Sequence, residues 1–203
     1  MSNLGVLVSG RGTNLDAIFR AIERDDLHAR VALVISSRAD APALALAADR
    51  GVASRVIVPR DYATRAEAGA AILAALRAAE VEYVALAGYK PILEECVVRA
   101  YSQRIVNIHP SLLPAFAGGM APRPQEEALA AGVKISGCTA HFVTEAVDAG
   151  PIIAQAAVPV LEGDTVESLS ARILEQEHRL LPAALELLVA GRLMVDGRFV
   201  RVR

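Results

Sequence analysis

The sequence predicts an α/β fold with a doubly wound, mostly parallel sheet, mixed C-terminal strands and one long C-terminal helix. Short apolar runs alternate with helical segments through the first half of the 203-residue chain. These runs are apolar throughout rather than at every second residue, which is typical of parallel strands buried on both faces. The second half carries two longer strand-like segments and a long helical one, so we expect the sheet to change character there.

Five apolar runs are predicted to form the strands of the core, namely Leu4–Val8, Val31–Ile35, Ser54–Val58, Tyr83–Ala87 and Ile105–His109. Three helical segments separate the first four of them, at Asn14–Arg24, Pro42–Arg50 and Arg65–Ala79. Leu15, Ile18 and Ile22 recur on one face of the first helix. Because parallel strands are joined by right-handed crossovers, this alternation predicts a doubly wound core.

The second half is predicted to contain a short helix, two strands, a long helix and a terminal hairpin. These are Gln125–Ala131, Lys134–Val143, Pro151–Val160, Thr165–Val189 and Leu193–Val202. Thr165 is the expected N-cap of the long helix, with Ser168 three residues on. The hairpin is expected to turn at Asp196-Gly197. No linker or repeat interrupts the chain, so we expect one domain over 1–203.

Composition argues against several classes of protein. The net charge is −2 with both signs interspersed, whereas a nucleic-acid surface needs clustered Lys and Arg. No apolar run approaches the roughly 20 residues that span a bilayer, and the start lacks the pattern of a secretory signal. Cys96 and Cys138 lie far apart and are expected to be buried free thiols. We therefore expect a cytoplasmic monomer or homodimer that binds neither nucleic acid nor membrane.

A glycine-containing loop, SGRGTN from Ser9 to Asn14, joins the first strand to the first helix. Gly10 and Gly12 permit a tight turn and leave amide N–H groups free at the positive end of the helix dipole, which suits a monophosphate. Two other interpretations remain open. A dinucleotide site would need a third glycine and an acidic residue where Ser36-Ser37-Arg38 stands. A plain strand-to-helix turn would bind nothing.

The stretch NIHPSLLP, from Asn107 to Pro114, places an amide and an imidazole two residues apart at a strand end. Residues two apart in a strand point to the same side, and open α/β sheets bind ligands outside the carboxyl ends of their strands. Pro110 restrains His109 to an extended conformation. Because such a pair can stabilise negative charge on an attacked carbonyl oxygen, Asn107 and His109 are candidate catalytic residues.

A histidine that is to be ionised near neutral pH needs a carboxylate neighbour. Asp148, in the loop TEAVDAGPII, is the first candidate and Glu145 a weaker one, and a turn-forming Asp148 is the alternative. His141 lies inside a predicted strand and is interpreted as structural, and His178 as a packing or helix-surface residue. The four histidines lack metal-ligand spacing, so no metal is expected.

Several motifs together resemble the phosphoribosylglycinamide formyltransferase family. They are SGRGTNL, LAGYKPIL, NIHPSLLP, GCTAHFVTEAVDAGPII and QEHRLLP, and the similarity runs from about Leu4 to Arg192. HPSLLP and the Asp148 loop are shared with other 10-formyltetrahydrofolate enzymes, whereas SGRGTN points to this member. The resemblance implies a Rossmann-like fold, with a nucleotide-binding half at about 1–100 and a catalytic, folate-binding half at about 101–203.

The resemblance also implies an activity and three groups of residues. The formyl group of the co-substrate 10-formyltetrahydrofolate would pass to the glycine amine of 5-phosphoribosylglycinamide in de novo purine biosynthesis, with no metal. The catalytic group is Asn107, His109 and Asp148. The phosphoribosylglycinamide-binding group is Gly12, Thr13, Asn14 and Glu177. The folate-binding group is Arg65, Lys90, Pro91, Ile92, Leu93 and Asn107. His109 and Asn107 would stabilise the oxyanion, and Asp148 would relay protons through an ordered water.

Two segments depart from the family pattern. After HPSLLPAF the chain reads AGGMAPRPQEEAL, where the usual histidine is absent and Met120-Ala121 stand near its place. This loop, 117–124, is expected to border the substrate crevice. Lys90-Pro91 stand where an arginine is common, so the folate contacts there are expected to be mainly through the backbone.

Three alternative functions make different demands on the sequence. An oxidoreductase that used SGRGTN and Arg38 for NADP would need the third glycine and a Tyr-x-x-x-Lys pair, which the chain lacks. A non-catalytic relative would have lost Asn107, His109 or Asp148, and all three are present. A hydrolase of formyl-folate would share these three residues, and the phosphate loop argues against it.

Overall fold

A computed structural model describes the whole chain, residues 1–203, around one seven-stranded sheet. Its strands are β1 Ser2–Val8, β2 Ala29–Ser36, β3 Ser54–Val56, β4 Tyr83–Leu86, β5 Ile105–His109, β6 Ile135–Phe142 and β7 Ile152–Pro159, in the order β3-β2-β1-β4-β5-β6-β7. Strands β1 to β5 pair in parallel, whereas β6 and β7 are antiparallel to their neighbours. The predicted fold class, including the change of character in the second half, is confirmed.

Six α-helices flank the sheet: α1 Thr13–Glu23, α2 Pro42–Asp49, α3 Arg65–Ala78, α4 Glu95–Ala100, α5 Arg123–Ala130 and α6 Val166–Val189. The sequence did not predict the six-residue α4 or a single 3-10 turn at Pro59–Asp61. The predicted cap of α6 is confirmed, because Thr165 and Ser168 each accept the other's backbone N–H, at 3.3 and 3.0 Å. No helix combines the length and the apolar character that a membrane-spanning segment needs.

The terminal hairpin forms a separate two-stranded sheet of β8 Leu193–Asp196 and β9 Phe199–Val202. Asp196 pairs with Phe199, so the turn residues are Gly197 and Arg198, one position later than predicted. Gly197 has φ +58°, the left-handed conformation that glycine adopts without strain. The turn is therefore set by the glycine itself.

The sheet is buried on both faces, as its continuously apolar strands predict. A cluster of 27 buried residues lies on the face covered by α1, α2 and α6, and a cluster of 15 lies on the face covered by α3 and α4. Strand β1 supplies Leu4, Val6 and Val8 to the first cluster and Leu7 to the second, and all four are fully buried. Burial of this kind is the main source of folding free energy.

One expectation about the cysteines is wrong. Cys138 is buried in β6, but Cys96 is exposed. Helix α4 buries Val97 and Val98, which leaves the preceding residue on its solvent side. Without predicting that helix, the sequence could not show which side of the segment faces the core.

Candidate functional site

The predicted catalytic residues lie together where β5 and β6 meet the loop that follows β6. Asn107 and His109 lie on β5, and Asn107 is paired across the sheet with His141 of β6. The Asp148 carboxylate lies 3.3 Å from His109 Nδ1 and 3.7 Å from His141 Nε2. Asn107 Nδ2 lies 3.1 Å from His141 Nε2. The structure therefore brings the three predicted residues together and adds His141 to them.

The loop that carries Asp148 turns back sharply toward β6. Asp148 has φ +51°, a left-handed conformation that aspartate tolerates better than most residues. A Cβ on Gly150 would overlap the Phe142 carbonyl, so only glycine permits this close return. The Asp148 side chain is 11% exposed. Local backbone geometry, rather than a turn-forming side chain, thus places the carboxylate against the two histidines.

A second loop closes over this cluster. The Gly118 N–H donates to Asp148 Oδ2 at 2.8 Å, and His109 Nε2 lies 3.1 Å from the Phe116 carbonyl oxygen, which can only accept. Both ring nitrogens of His109 thus face oxygen acceptors, an arrangement that the doubly protonated ring satisfies. His109 is 1% exposed. The N–H that was predicted to meet an oxyanion is occupied by Phe116 in this conformation.

His141 orients Asn107. Its Nδ1 lies 3.0 Å from the Phe142 carbonyl and must donate to it, so Nε2 of the neutral ring accepts from the Asn107 amide. Burial is the main influence on His141 and lowers its pKa below the ordinary value, against weaker opposing effects of Phe142 and Asp148. The sequence interpretation of His141 as structural did not foresee this contact, which depends on the register between β5 and β6.

A cavity of about 140 Å³ opens beside Asn107 and His141. Its walls are Leu86, Tyr89–Leu93, Asn107, Gly118–Met120, His141 and Val143–Asp148. Five of the predicted folate-binding residues line it, namely Lys90, Pro91, Ile92, Leu93 and Asn107. Arg65 does not line it, because its guanidinium contacts Glu94 at 2.6 Å and the Ile92 carbonyl at 3.3 Å on the rim. The loop 117–124, called the divergent loop below, borders this crevice through Gly118–Met120, as expected.

The predicted nucleotide-binding residues meet where α1 begins and α6 passes. Gly12 is the N-cap of α1 with φ +81°, and Asn14 Nδ2 donates to Glu177 Oε2 at 2.8 Å. Asn14 Oδ1 is buried and has no partner in the protein. Burial raises the pKa of Glu177 to about 7, although the Asn14 hydrogen bond opposes the shift. This carboxyl is therefore easily protonated near neutral pH.

An open groove of about 630 Å³ adjoins Gly12 and Thr13 and includes four arginines, Arg11, Arg20, Arg24 and Arg179, in its walls. The loops after β1 and β4 are tied together as well, because Lys90 donates its backbone N–H to Ser9 Oγ at 2.8 Å. These two strands are neighbours at the switch point of the sheet, where α/β folds bind their ligands. The glycine loop and the cavity therefore lie at the same carboxyl ends of the central strands.

Comparison with known proteins agrees with this arrangement. A family model described as "Formyl transferase" matches residues 2–185. A phosphoribosylglycinamide formyltransferase of Bacillus subtilis is 38% identical over 189 residues, which are 93% of this chain and 95% of that protein. A trifunctional purine biosynthetic protein adenosine-3 of Gallus gallus is 45% identical over 95% of this chain, and the match spans 19% of that longer protein.

Solved structures show the same fold. A glycinamide ribonucleotide transformylase 1 from Symbiobacterium toebii is 50% identical, with a TM-score of 0.95, over 100% of this chain and 94% of the other. A formyltetrahydrofolate deformylase from Pseudomonas syringae is 27% identical with a TM-score of 0.91, over 99% of this chain and 65% of the other. The fold is therefore shared by proteins whose names denote transfer and hydrolysis of a formyl group.

Proposed function

Since this chain belongs to the formyl transferase family, and within it to the phosphoribosylglycinamide formyltransferases, we propose that it formylates 5-phosphoribosylglycinamide. The donor is 10-formyltetrahydrofolate, and the reaction is a step of de novo purine biosynthesis. One observation carries the proposal. Asn107, His109 and Asp148 converge beside a cavity, and the glycine loop lies at the same carboxyl ends of the central strands. The cavity can take the folate, the glycine loop can take the ribonucleotide, and the three side chains between them can take part in the reaction.

The chemistry is a direct transfer between two nitrogens. The glycine amine attacks the formyl carbon, the new C–N bond forms, and the bond from that carbon to N10 of the folate breaks. The amine loses one proton and N10 gains one, so the step balances without an oxidant. Holding both substrates in one crevice removes much of the entropic barrier to their meeting.

Asn107 and His109 supply the donors for the oxyanion of the tetrahedral intermediate. One hydrogen of the Asn107 amide is directed to His141, which leaves the second for the substrate oxygen. His109 offers its Nε2–H, provided that the oxyanion replaces the Phe116 carbonyl as acceptor. Each such donor is worth on the order of 10²–10³ in rate. Asp148 stabilises the charged ring from the other side and serves, through an ordered water, as the path for the proton.

Access to the cavity requires the divergent loop to move. The cavity measures about 140 Å³, below the roughly 300–1,000 Å³ of typical ligand sites. Gly118–Met120 form one of its walls, and Phe116 and Gly118 contact His109 and Asp148. Displacement of Phe116–Met120 would therefore enlarge the site and release the catalytic groups in one motion.

The nucleotide is assigned to the start of α1. The backbone N–H groups around Gly12 and Thr13, at the positive end of the helix dipole, suit the phosphate. Glu177 and the unpartnered Asn14 Oδ1 are polar atoms within reach of the same loop, and they are suited to the hydroxyl groups of the ribose. In the adjoining groove Arg20 and Arg24 are paired with Asp16 and Asp26, so Arg11 and Arg179 are the arginines left to attract an anion.

A product assay tests the proposal against its nearest rival, hydrolysis of the formyl-folate, which the deformylase-like fold makes a specific alternative. The protein is mixed with 10-formyltetrahydrofolate with and without phosphoribosylglycinamide. We expect tetrahydrofolate and formylated ribonucleotide in equal amounts, and only when both substrates are present. Release of free formate at the same rate without the ribonucleotide would instead establish a hydrolase.

A further inference from the structure

The ion pair between Arg65 and Glu94 occupies the rim of the cavity. Arg65 Nε donates to Glu94 Oε1 at 2.6 Å, and Arg65 Nη2 lies 3.3 Å from the carbonyl of Ile92, a residue of the cavity wall. The Arg65 side chain is 63% exposed, and that of Glu94 is 19% exposed. The guanidinium is thus the more accessible member of the pair, beside the mouth of the site.

Glu94 is held in place by more than the ion pair. Its stem packs against Gly69 of α3, where an added Cβ would lie 2.5 Å from the Glu94 Cβ. The residue stands at the N-cap of α4, but its side chain makes no capping hydrogen bond and points to Arg65 instead. The Glu94 charge also acts on Tyr89, a residue of the cavity wall. Burial is the main cause that raises the pKa of Tyr89 to about 12, and the Glu94 charge adds to it. The Glu94 side chain therefore interacts with Arg65 and does not cap its own helix.

A guanidinium at this point is suited to a carboxylate of the ligand. The proposed co-substrate ends in a glutamate with two carboxylates, which would come within reach of Arg65 if the tail leaves the cavity past Ile92. Glu94 is a carboxylate of this chain in the place where a ligand carboxylate would bind. Its negative charge both occupies Arg65 and repels an incoming anion.

We propose that Glu94 is a specificity-determining residue, which lowers the affinity of the rim for the anionic glutamate tail of the folate by competing with it for Arg65. This inference rests on the proposed function, since it concerns the folate co-substrate. Binding exchanges one carboxylate for another on the same guanidinium. The enzyme therefore discriminates less sharply between charged and neutral tails than Arg65 alone would.

The variant Glu94→Gln tests the exchange. Glutamine keeps the length, the packing on Gly69 and an oxygen that accepts from Arg65 Nε–H, but it carries no charge. Dissociation constants are measured by titration calorimetry for tetrahydrofolate and for its diamide, in which both glutamate carboxylates are amides. We expect tetrahydrofolate to bind about two- to fivefold more tightly to the variant, the range of an exposed charge interaction, with no change for the diamide.

Two further variants sharpen the result. Glu162→Gln removes an equal charge from an exposed position on the segment before α6 and should change neither constant. In an Arg65→Gln background, Glu94→Gln should have a smaller effect on tetrahydrofolate, because only the direct repulsion between Glu94 and the tail remains to be relieved. In turnover, the effect of Glu94→Gln should be seen in KM for the charged co-substrate, which a purely structural ion pair would not produce.

The outcomes separate this inference from the proposed function. If the wild-type protein transfers formyl groups but Glu94→Gln weakens tetrahydrofolate binding, leaves it unchanged, or alters both ligands equally, the competition is absent and only the inference is overturned. If the wild-type protein binds neither ligand, the folate co-substrate is wrong and the inference is overturned with it.

Discussion

Asp148 and Glu177 are two nearly buried carboxyl groups with opposite surroundings. Asp148 lies 3.3 Å from His109 Nδ1 and accepts the Gly118 N–H at 2.8 Å. Glu177 is 8% exposed between α1 and α6 and has the neutral amide of Asn14 as its partner, so burial raises its pKa to about 7. Asp148 therefore faces a ring that can carry a positive charge, whereas the hydrogen-bond partner of Glu177 is a neutral amide.

The two sites also differ in what holds them. The Asp148 cluster depends on two loops, one of which, around Phe116 and Gly118, would have to move under the proposed function. The Glu177 contact joins two helices whose inner faces belong to the larger core cluster. Asp148 is thus positioned by loops, whereas Glu177 is positioned by two helices packed on the core.

The largest expected effect follows from replacing the Asp148 carboxylate by a neutral amide. Asp148→Asn should lower kcat by about 10²–10⁴, the usual contribution of a general acid or base, and should shift the pH–rate profile. Asparagine also tolerates the left-handed backbone at this position, so folding should be preserved. Asp49→Asn, at the exposed end of α2, is the matched control. An unchanged pH profile would refute the coupling of Asp148 to His109.

The partner of Asp148 should give the next largest effect. His109→Ala should lower turnover by at least about 100-fold through loss of an oxyanion donor. Circular dichroism and the thermal midpoint would check that the fold remains. Turnover close to that of the wild type would remove His109 from the mechanism and leave Asn107, held by His141, as the principal donor.

At the start of α1, a new negative charge should affect the binding of phosphoribosylglycinamide but not that of the folate. Thr13→Asp should weaken phosphoribosylglycinamide binding by about tenfold through repulsion of the phosphate. An aspartate at the start of α1 suits the helix dipole, so stability should not fall. Binding constants for both substrates provide the measurement. An equal loss of folate binding would contradict the assignment of this loop to the phosphate.

The smallest effect is the pH dependence of stability at Glu177. Its folded pKa of about 7 lies above the ordinary value of 4.5, so the protonated form is favoured by folding. The resulting contribution to stability is present below pH 4.5 and is lost as the pH rises through about 7. Glu177→Gln should therefore become progressively more stable than the wild type between these values. Denaturant unfolding at pH 4.5, 6 and 8 would measure it, and a constant difference would contradict the raised pKa.

Local patterns in the sequence determined the elements and the candidates. Continuous apolar runs predicted the buried parallel strands, and a two-residue spacing predicted that Asn107 and His109 share one side of β5, because side-chain direction in a strand depends only on the backbone. The need of His109 for a carboxylate neighbour indicated Asp148, and motif resemblance indicated Glu177. Short α4, with too few residues to show a helical period, was missed, and the burial of Cys96 was predicted wrongly with it.

Tertiary structure alone decided which groups touch. His141 reaches Asn107 because β6 runs antiparallel to β5 in one particular register, and Phe116 reaches His109 because a loop folds over the strand end. Arg65 meets Glu94 because α3 and α4 pack closely at Gly69. Contacts such as these join residues far apart in the chain. The raised pKa of Glu177 likewise results from burial between helices that are distant in the sequence. These contacts and this pKa depend on packing of the whole core, which no local period records.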